Sequence, residues 1–254
     1  MFGLPPLKLH AAVAAIVMVV ASAVPASAIN VAPVIVDLLA SGRRSSAIVT
    51  MQNTFSTTVP VELTASVVEL VDNEFRAVDG EVEDLLVFPS QAVVEPGQSQ
   101  AFRIQWVGDQ EPDQSRHFYV SVNQLPIDLP ENENALQVLY SFRVLVNVAA
   151  ASASESLQVR SATIQTTEGR SVPVIEVENT GQAYGYVGKG RMTVVQANDA
   201  GQEVFRESYE PDVIQRVMGL GLVPSGKTRR LPMNIELPQS TGTLTVTLAP
   251  VEGR

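Results

Sequence analysis

Cysteine is absent from the 254 residues. The chain therefore forms no disulfide, has no thiolate nucleophile and offers no cysteine ligand to zinc. Histidine is nearly absent, with only His10 and His117. A His-rich metal centre is excluded, and a Ser-His-Asp triad would have to be built around His117. Positive charge is scarce. Seventeen Lys and Arg stand against 27 Asp and Glu, for a formal charge of −10, which argues against a general grip on nucleic acid, because phosphate binding needs clustered cations. Sequence signatures of phosphate loops, nucleophile elbows, HExxH zinc sites and calcium loops are missing. Gly219-Leu220-Gly221 is too bare to cradle a phosphate. The acidic run Glu81-Val82-Glu83-Asp84 fits a solvated loop better than a metal site. No cofactor or metal is expected, and no enzymatic activity. Hydrophobic residues at 45% and charged residues at 17% nevertheless exclude general disorder.

The first 28 residues have the pattern of an export leader. Lys8 gives a positive start, Ala11–Val24 is an apolar run, Pro25 breaks it, and Ala26-Ser27-Ala28 is a small-residue cleavage site. The run is shorter than the roughly 20 residues a spanning helix needs. Cleavage after Ala28, export to the periplasm and no stable membrane insertion are the expectations. Such an exported chain, lacking disulfides, must rely on its apolar core for stability.

Beyond residue 29 the apolar pattern alternates in twos. Val31–Leu38 is Val/Ile-rich but interrupted by Pro33. Ser46–Gln52, Val59–Leu70, Gln100–Val107, His117–Leu125 and Leu136–Val148 follow as strand-like runs. Ser41-Gly42, Asp79-Gly80, Glu95-Pro96-Gly97 and a Pro126–Asn134 loop separate them. Leu157–Gln165, Pro173–Val177, Tyr184–Gln196, Gln202–Tyr209, Lys227–Ile235 and Thr243–Leu248 repeat the pattern. The only helical candidate, Asp212–Met218, is short. Ala149–Ser156 (AAASASES) has little to bury and reads as a linker. The expectation is an all-β protein of two immunoglobulin-like sandwiches around a cleft, over residues 29–148 and 157–254.

One strand stands out. In Leu136–Val148 the even positions Leu136, Val138, Tyr140, Phe142, Val144, Val146 and Val148 are all apolar, and period-two geometry places them on one face. Periodicity allows two origins for that stripe. It is the inner face of a central sandwich strand, or it is an edge that offers bulky side chains to a partner. His117, beside Arg116, lacks the partners that would make it a base, and a structural role is expected.

Several segments resemble the PapD-like family of periplasmic pilus-assembly chaperones, and the resemblance spans the chain after the leader. Val31–Val36 resembles the family's first strand. Val49-Thr50-Met51-Gln52-Asn53 with Val59-Pro60-Val61, Phe88-Pro89, Glu95-Pro96-Gly97 with Phe102-Arg103-Ile104, and His117–Val120 through Leu125-Pro126 follow in the family's order. Leu136-Gln137-Val138 resembles the opening of its last domain-one strand. Val177-Glu178-Asn179 with Tyr184–Val187 resembles a passage of its second domain. The resemblance implies a non-enzymatic chaperone that lends a strand to an incomplete pilin subunit and passes it to an outer-membrane usher. The lent residues would be Leu136, Val138, Tyr140 and Phe142. Typical members hold the subunit's terminal carboxylate with an Arg of the first strand and a Lys of the last. Ile35 stands at the first position here. Arg143 is the nearest cation to the second, and Arg103 is another candidate; the pattern suggests a divergent branch. Pilin subunits and an usher are the implied partners. The alternatives are a two-domain structural or adhesive surface protein and, more remotely, a secreted hydrolase.

Overall fold

The computed structural model describes residues 28–127 and 137–250. The expected leader, apart from Ala28, and Leu136 lie outside the described residues. The chain forms short β-strands with one eight-residue α-helix among the described residues. Alternating burial along each strand shows why: one face is apolar and turned inward, the other polar and wet.

The first half is a sandwich. One sheet is built from β1 (Ile29–Ala32), β3 (Ser46–Asn53), β8 (Ser99–Trp106) and β6 (Leu85–Phe88), in the order β1-β3-β8-β6. The other runs β2 (Ile35–Leu39), β10 (Ser141–Ala149), β9 (Arg116–Gln124), β4 (Val59–Val71) and β5 (Glu74–Val78), with β7 (Gln91–Val94) also on β4. Pro33 makes the first strand serve both sheets. Residues before it pair with β3 and residues after it run parallel to β10, since proline supplies no N–H to continue a single ladder. Phe102, Ile104, Met51, Phe118, Val120, Val144, Val146 and Val148 are buried between the sheets.

The second half has its own core. β11 (Leu157–Thr167), β12 (Arg170–Asn179) and β17 (Thr228–Pro232) form one sheet. β15 (Glu203–Tyr209), β14 (Arg191–Ala197) and β18 (Thr243–Ala249) form the facing one, and β13 (Gly185–Tyr186) pairs with β16 (Leu222–Val223). Helix α1 (Pro211–Met218) starts with proline in its first turn and buries Ile214. The core residues include Ile175, Val177, Met192, Val194, Met233 and Val246, none of which belongs to the first core. The architecture is thus two immunoglobulin-like β-sandwiches.

The two halves share an internal device. Asn53 and Asn179 are both fully buried at the ends of matching strands. Asn53 Nδ2 donates to Thr57 O and Val94 O, and its Oδ1 accepts from Phe55 N–H. Asn179 Nδ2 donates to Ala183 O and Val223 O, and its Oδ1 accepts from Gly181 and Ser156 N–H. Gly97 and Gly226, at φ +73 and +65, donate their N–H groups to the backbone carbonyls of these two asparagines. Each asparagine satisfies loop groups that burial would otherwise leave unpaired.

Several elements differ from the sequence pattern. β5, β6 and β7 form where no strand is expected, because they are edge strands of four or five residues with little buried surface. Tyr184–Gln196 does not form one strand. A 3₁₀ turn at Val187–Lys189 separates β13 from β14, with Gly188 so close to Gly219 O that a Cβ would sit 2.9 Å from it. The strand expected from Leu136 begins at Ser141; Gln137–Tyr140 carry no strand assignment.

Candidate functional site

β10 carries the apolar stripe, and the structure divides it by depth. Val144, Val146 and Val148 are completely buried in the first core. Phe142 is half-buried and packs against that core. Val138 and Tyr140 are 58% and 44% exposed, with Leu139 beside them at 46%. The even-numbered face is therefore core at one end and open surface at the other. Leu136 lies outside the described residues. Tyr140 stacks on Phe142 with ring centroids 6.4 Å apart and approaches Phe55 at 5.9 Å, so the exposed end is held by aromatic packing onto the sandwich.

The backbone of the same segment is open on one side. β10 pairs with β9 from Ser141 through Val148, and the Tyr140 carbonyl still accepts from Gln124 N–H at 2.9 Å. On the opposite side β2 joins only at Leu145, whose N–H donates to Val34 O at 2.9 Å. The peptide groups of Ser141 and Arg143 point the same way as that of Leu145, by the period of the strand. Among the described residues they have no backbone partner there. The result is an edge with free N–H and C=O groups, flanked by exposed Val34, Val138, Leu139 and Tyr140. Such an edge is an association hazard unless a partner covers it.

The odd-numbered face of β10 looks towards the second domain. Asn147 is fully buried on it and donates to Tyr186 OH at 2.9 Å. Asn73, in the β4–β5 turn, exchanges two hydrogen bonds with the backbone of Arg230, at 2.7 and 2.8 Å. Ser115 N–H donates to Gln182 O at 3.0 Å. These contacts fasten the lower part of the six-stranded sheet and its β4–β5 end to the second sandwich. Arg143 stands higher on the same face, exposed, with its guanidinium 5.6 Å from the Tyr119 ring centroid. No carboxylate lies within ion-pair distance of it among the described residues. Arg103 is elsewhere. It is exposed on the outer face of the four-stranded sheet, in register between Ile48 and Phe88, so the structure does not bring the two arginines together. Ile35 sits directly opposite Leu145, an apolar pair at the closed end of the edge.

His117 has the structural place expected of it, but the reason is new. It is buried where the domains meet, with Nδ1 2.7 Å from Asn147 Oδ1 and its ring edge-on to Tyr184 at 5.8 Å. Burial lowers its pKa from the ordinary 6.5, against the opposing effects of the Asn147 hydrogen bond and the Asp37 charge. Burial, together with the neighbouring Asp37 carboxylate, raises the hydroxyls of Tyr184 and Tyr186 well above the usual tyrosine range. Asp37, Asn147 and Tyr186 are missed by sequence reasoning, because positions this far apart show no spacing signal.

Two sandwiches around a cleft, with an edge on the last strand of the first domain that is uncovered among the described residues, define a two-domain immunoglobulin-like protein. Residues 28–148 match the family model for pili and flagellar-assembly chaperones, PapD N-terminal domain. That match assigns the first domain to the PapD N-terminal domain family of pili and flagellar-assembly chaperones. The fold of the chain is similar to that of solved fimbrial chaperones. The class 5 fimbriae chaperone CfaA aligns at a TM-score of 0.52 and 12% identity, over 88% of this chain and 100% of its own. A chain from a chaperone–tip adhesin complex of CFA/I fimbriae biogenesis aligns at 0.51 and 11%, over 88% and 100%. A chain from the CsuC–CsuE pre-assembly complex of the archaic chaperone-usher Csu pili of Acinetobacter baumannii aligns at 0.50 and 13%, over 87% and 93%. A search of curated proteins finds no significant match. Among the described residues no helix is long and apolar enough to cross a membrane.

Proposed function

We propose that this chaperone binds pilin subunits by lending them the open edge of β10 and then delivers them to an outer-membrane usher. The observation that carries the reading is the divided stripe: buried from Val144 downward, exposed at Val138 and Tyr140, with free peptide groups along the same segment. A subunit lacking one strand would pair with those peptide groups while its groove takes up alternate side chains. Val138, Tyr140 and Phe142, continued by Leu136, supply that row. Burying each is worth roughly 1.5–3 kcal/mol. The chain acts by binding, with no catalytic step.

Arg143 is the candidate anchor for the subunit's terminal carboxylate. It faces the cleft and is free of an acidic partner among the described residues, and a guanidinium binds a carboxylate through two parallel hydrogen bonds. Arg103, on the far sheet, has no comparable support. Residues 1–28 act as the export leader, and cleavage after Ala28 releases the chaperone to the periplasm. Coexpression with a candidate pilin tests the reading. A one-to-one complex that withstands purification supports it; a stable pilin that never associates contradicts it.

A further inference from the structure

The domain interface contains a hydrogen-bond chain whose direction is fixed from one end. Asp37 Oδ1 accepts from Tyr186 OH at 2.6 Å and from Asn147 Nδ2 at 3.1 Å. Asn147 thus spends its amide N–H groups on Asp37 and Tyr186, leaving its Oδ1 to accept. His117 Nδ1, 2.7 Å away, must then carry the proton. The other ring nitrogen, Nε2, is the acceptor and faces Ser115 Oγ at 3.4 Å. Ser115 Oγ in turn receives Ser225 N–H at 3.4 Å. The chain leaves the second domain at Tyr186, crosses the first through Asp37, Asn147, His117 and Ser115, and re-enters the second at Ser225.

Burial at this junction favours the neutral imidazole. His117 is 6% exposed, with Tyr184 of the second domain edge-on against its ring. Asp37 of β2 is the acid whose charge acts on the imidazole, and Lys189 lies 3.5 Å from it and 3.9 Å from the Tyr186 ring centroid, while Arg44 and Glu155 act on Tyr184. Tyr184 and Tyr186 stay neutral. On the β5 side Phe75 packs against the imidazole, with the Arg229 guanidinium 4.8 Å beyond its ring centroid. A protonated His117 would place a positive charge in a dry site whose nearest acting charge is the Asp37 carboxylate.

We propose that His117 is an acid-sensitive latch between the two domains, closed when its imidazole is neutral and released when it is protonated. The inference concerns the angle of the cleft and does not depend on what the cleft binds. Its sign follows from linkage. Undocking removes Tyr184 from the imidazole and returns water to it, so the undocked domain binds the proton more readily than the docked one, in which burial lowers the pKa. Docking is therefore strongest where the imidazole is neutral in both states and weakens as the pH falls towards the depressed value of the docked state.

The absence of cysteine allows a direct test. Glu81→Cys and Asp199→Cys place one spin label on an exposed loop of each domain, and pulsed electron paramagnetic resonance reads the distance between them. One narrow distance at pH 8 and a second, broader population at pH 5 are expected. His117→Gln keeps an N–H for Asn147 and cannot titrate, so its distance distribution should not respond to acid. An unchanged distribution in the parent chain, or an equal response in His117→Gln, overturns the latch. A second measurement needs no His117 variant: the His117 imidazole titration, followed by NMR in the labelled parent chain, must coincide with the distance change. Midpoints more than about one pH unit apart overturn it as well.

Discussion

Leu145 N–H meets Val34 O at 2.9 Å, and this bond is where the edge of β10 closes. Below it β2 covers the strand; above it the peptide groups of Ser141 and Arg143 are uncovered among the described residues. The same point divides the side chains. Val144 and Val146 are core, while Phe142, Tyr140 and Val138 emerge step by step. A single run of alternating residues is therefore core at one end and surface at the other, and truncation should distinguish them. Val146→Ala should destabilise the protein by about 1.5–3 kcal/mol, whereas Val138→Ala should change stability by less than about 0.5 kcal/mol. Chemical denaturation of the two variants measures both.

The paired asparagines make a second prediction. Asn53→Ala strands the carbonyls of Thr57 and Val94, and Asn179→Ala strands those of Ala183 and Val223. Each substitution should cost roughly 2–3 kcal/mol. Because the two cores are separate, amide exchange should show each loss concentrated in the variant's own domain. Equal loosening of both domains by either variant would contradict that separation.

Arg143→Ala should leave the melting temperature within about a degree or two, since the side chain is exposed and forms no ion pair among the described residues. Its affinity for a pilin should nevertheless fall about tenfold or more, as expected on losing a bidentate carboxylate contact. Arg103→Ala should leave capture unchanged. Titration calorimetry of both variants separates the roles, and equal affinities for Arg143→Ala and the parent would remove Arg143 from the anchor.

Export gives a further prediction. Mass spectrometry of the periplasmic fraction should find a chain that begins at Ile29, as the Ala26-Ser27-Ala28 pattern implies. A membrane-held species that retains Met1 would contradict it.

Much of this molecule is legible in its sequence, for reasons specific residues illustrate. Period-two runs such as Ser46–Gln52 bury every second side chain, so they announce themselves. Pro33 announces the break between β1 and β2 because a ladder cannot run through it. β5 is silent because none of its five residues is fully buried, so no alternation marks it. The Leu136–Val148 pattern shows an apolar face but not its depth. Whether Val138 is core or surface depends on where β2 joins, and Val34 is distant in sequence from Leu145. The latch is invisible for the same reason. Asp37, His117, Asn147 and Tyr186 lie on four different strands and converge only through the topology.

The lent edge is tested most directly by Val138→Glu, with thermal melting of the free chaperone and pilin capture measured on the same preparation. Val138 is 58% exposed in the free protein, so the charge remains in water and the melting temperature should stay within about a degree or two of the parent. In the complex the carboxylate would enter an apolar groove without a partner, and capture should be lost. A Val138→Glu protein that melts normally and still captures pilin at parental affinity would contradict the donor role of this strand. One that melts far below the parent would contradict the exposed edge itself.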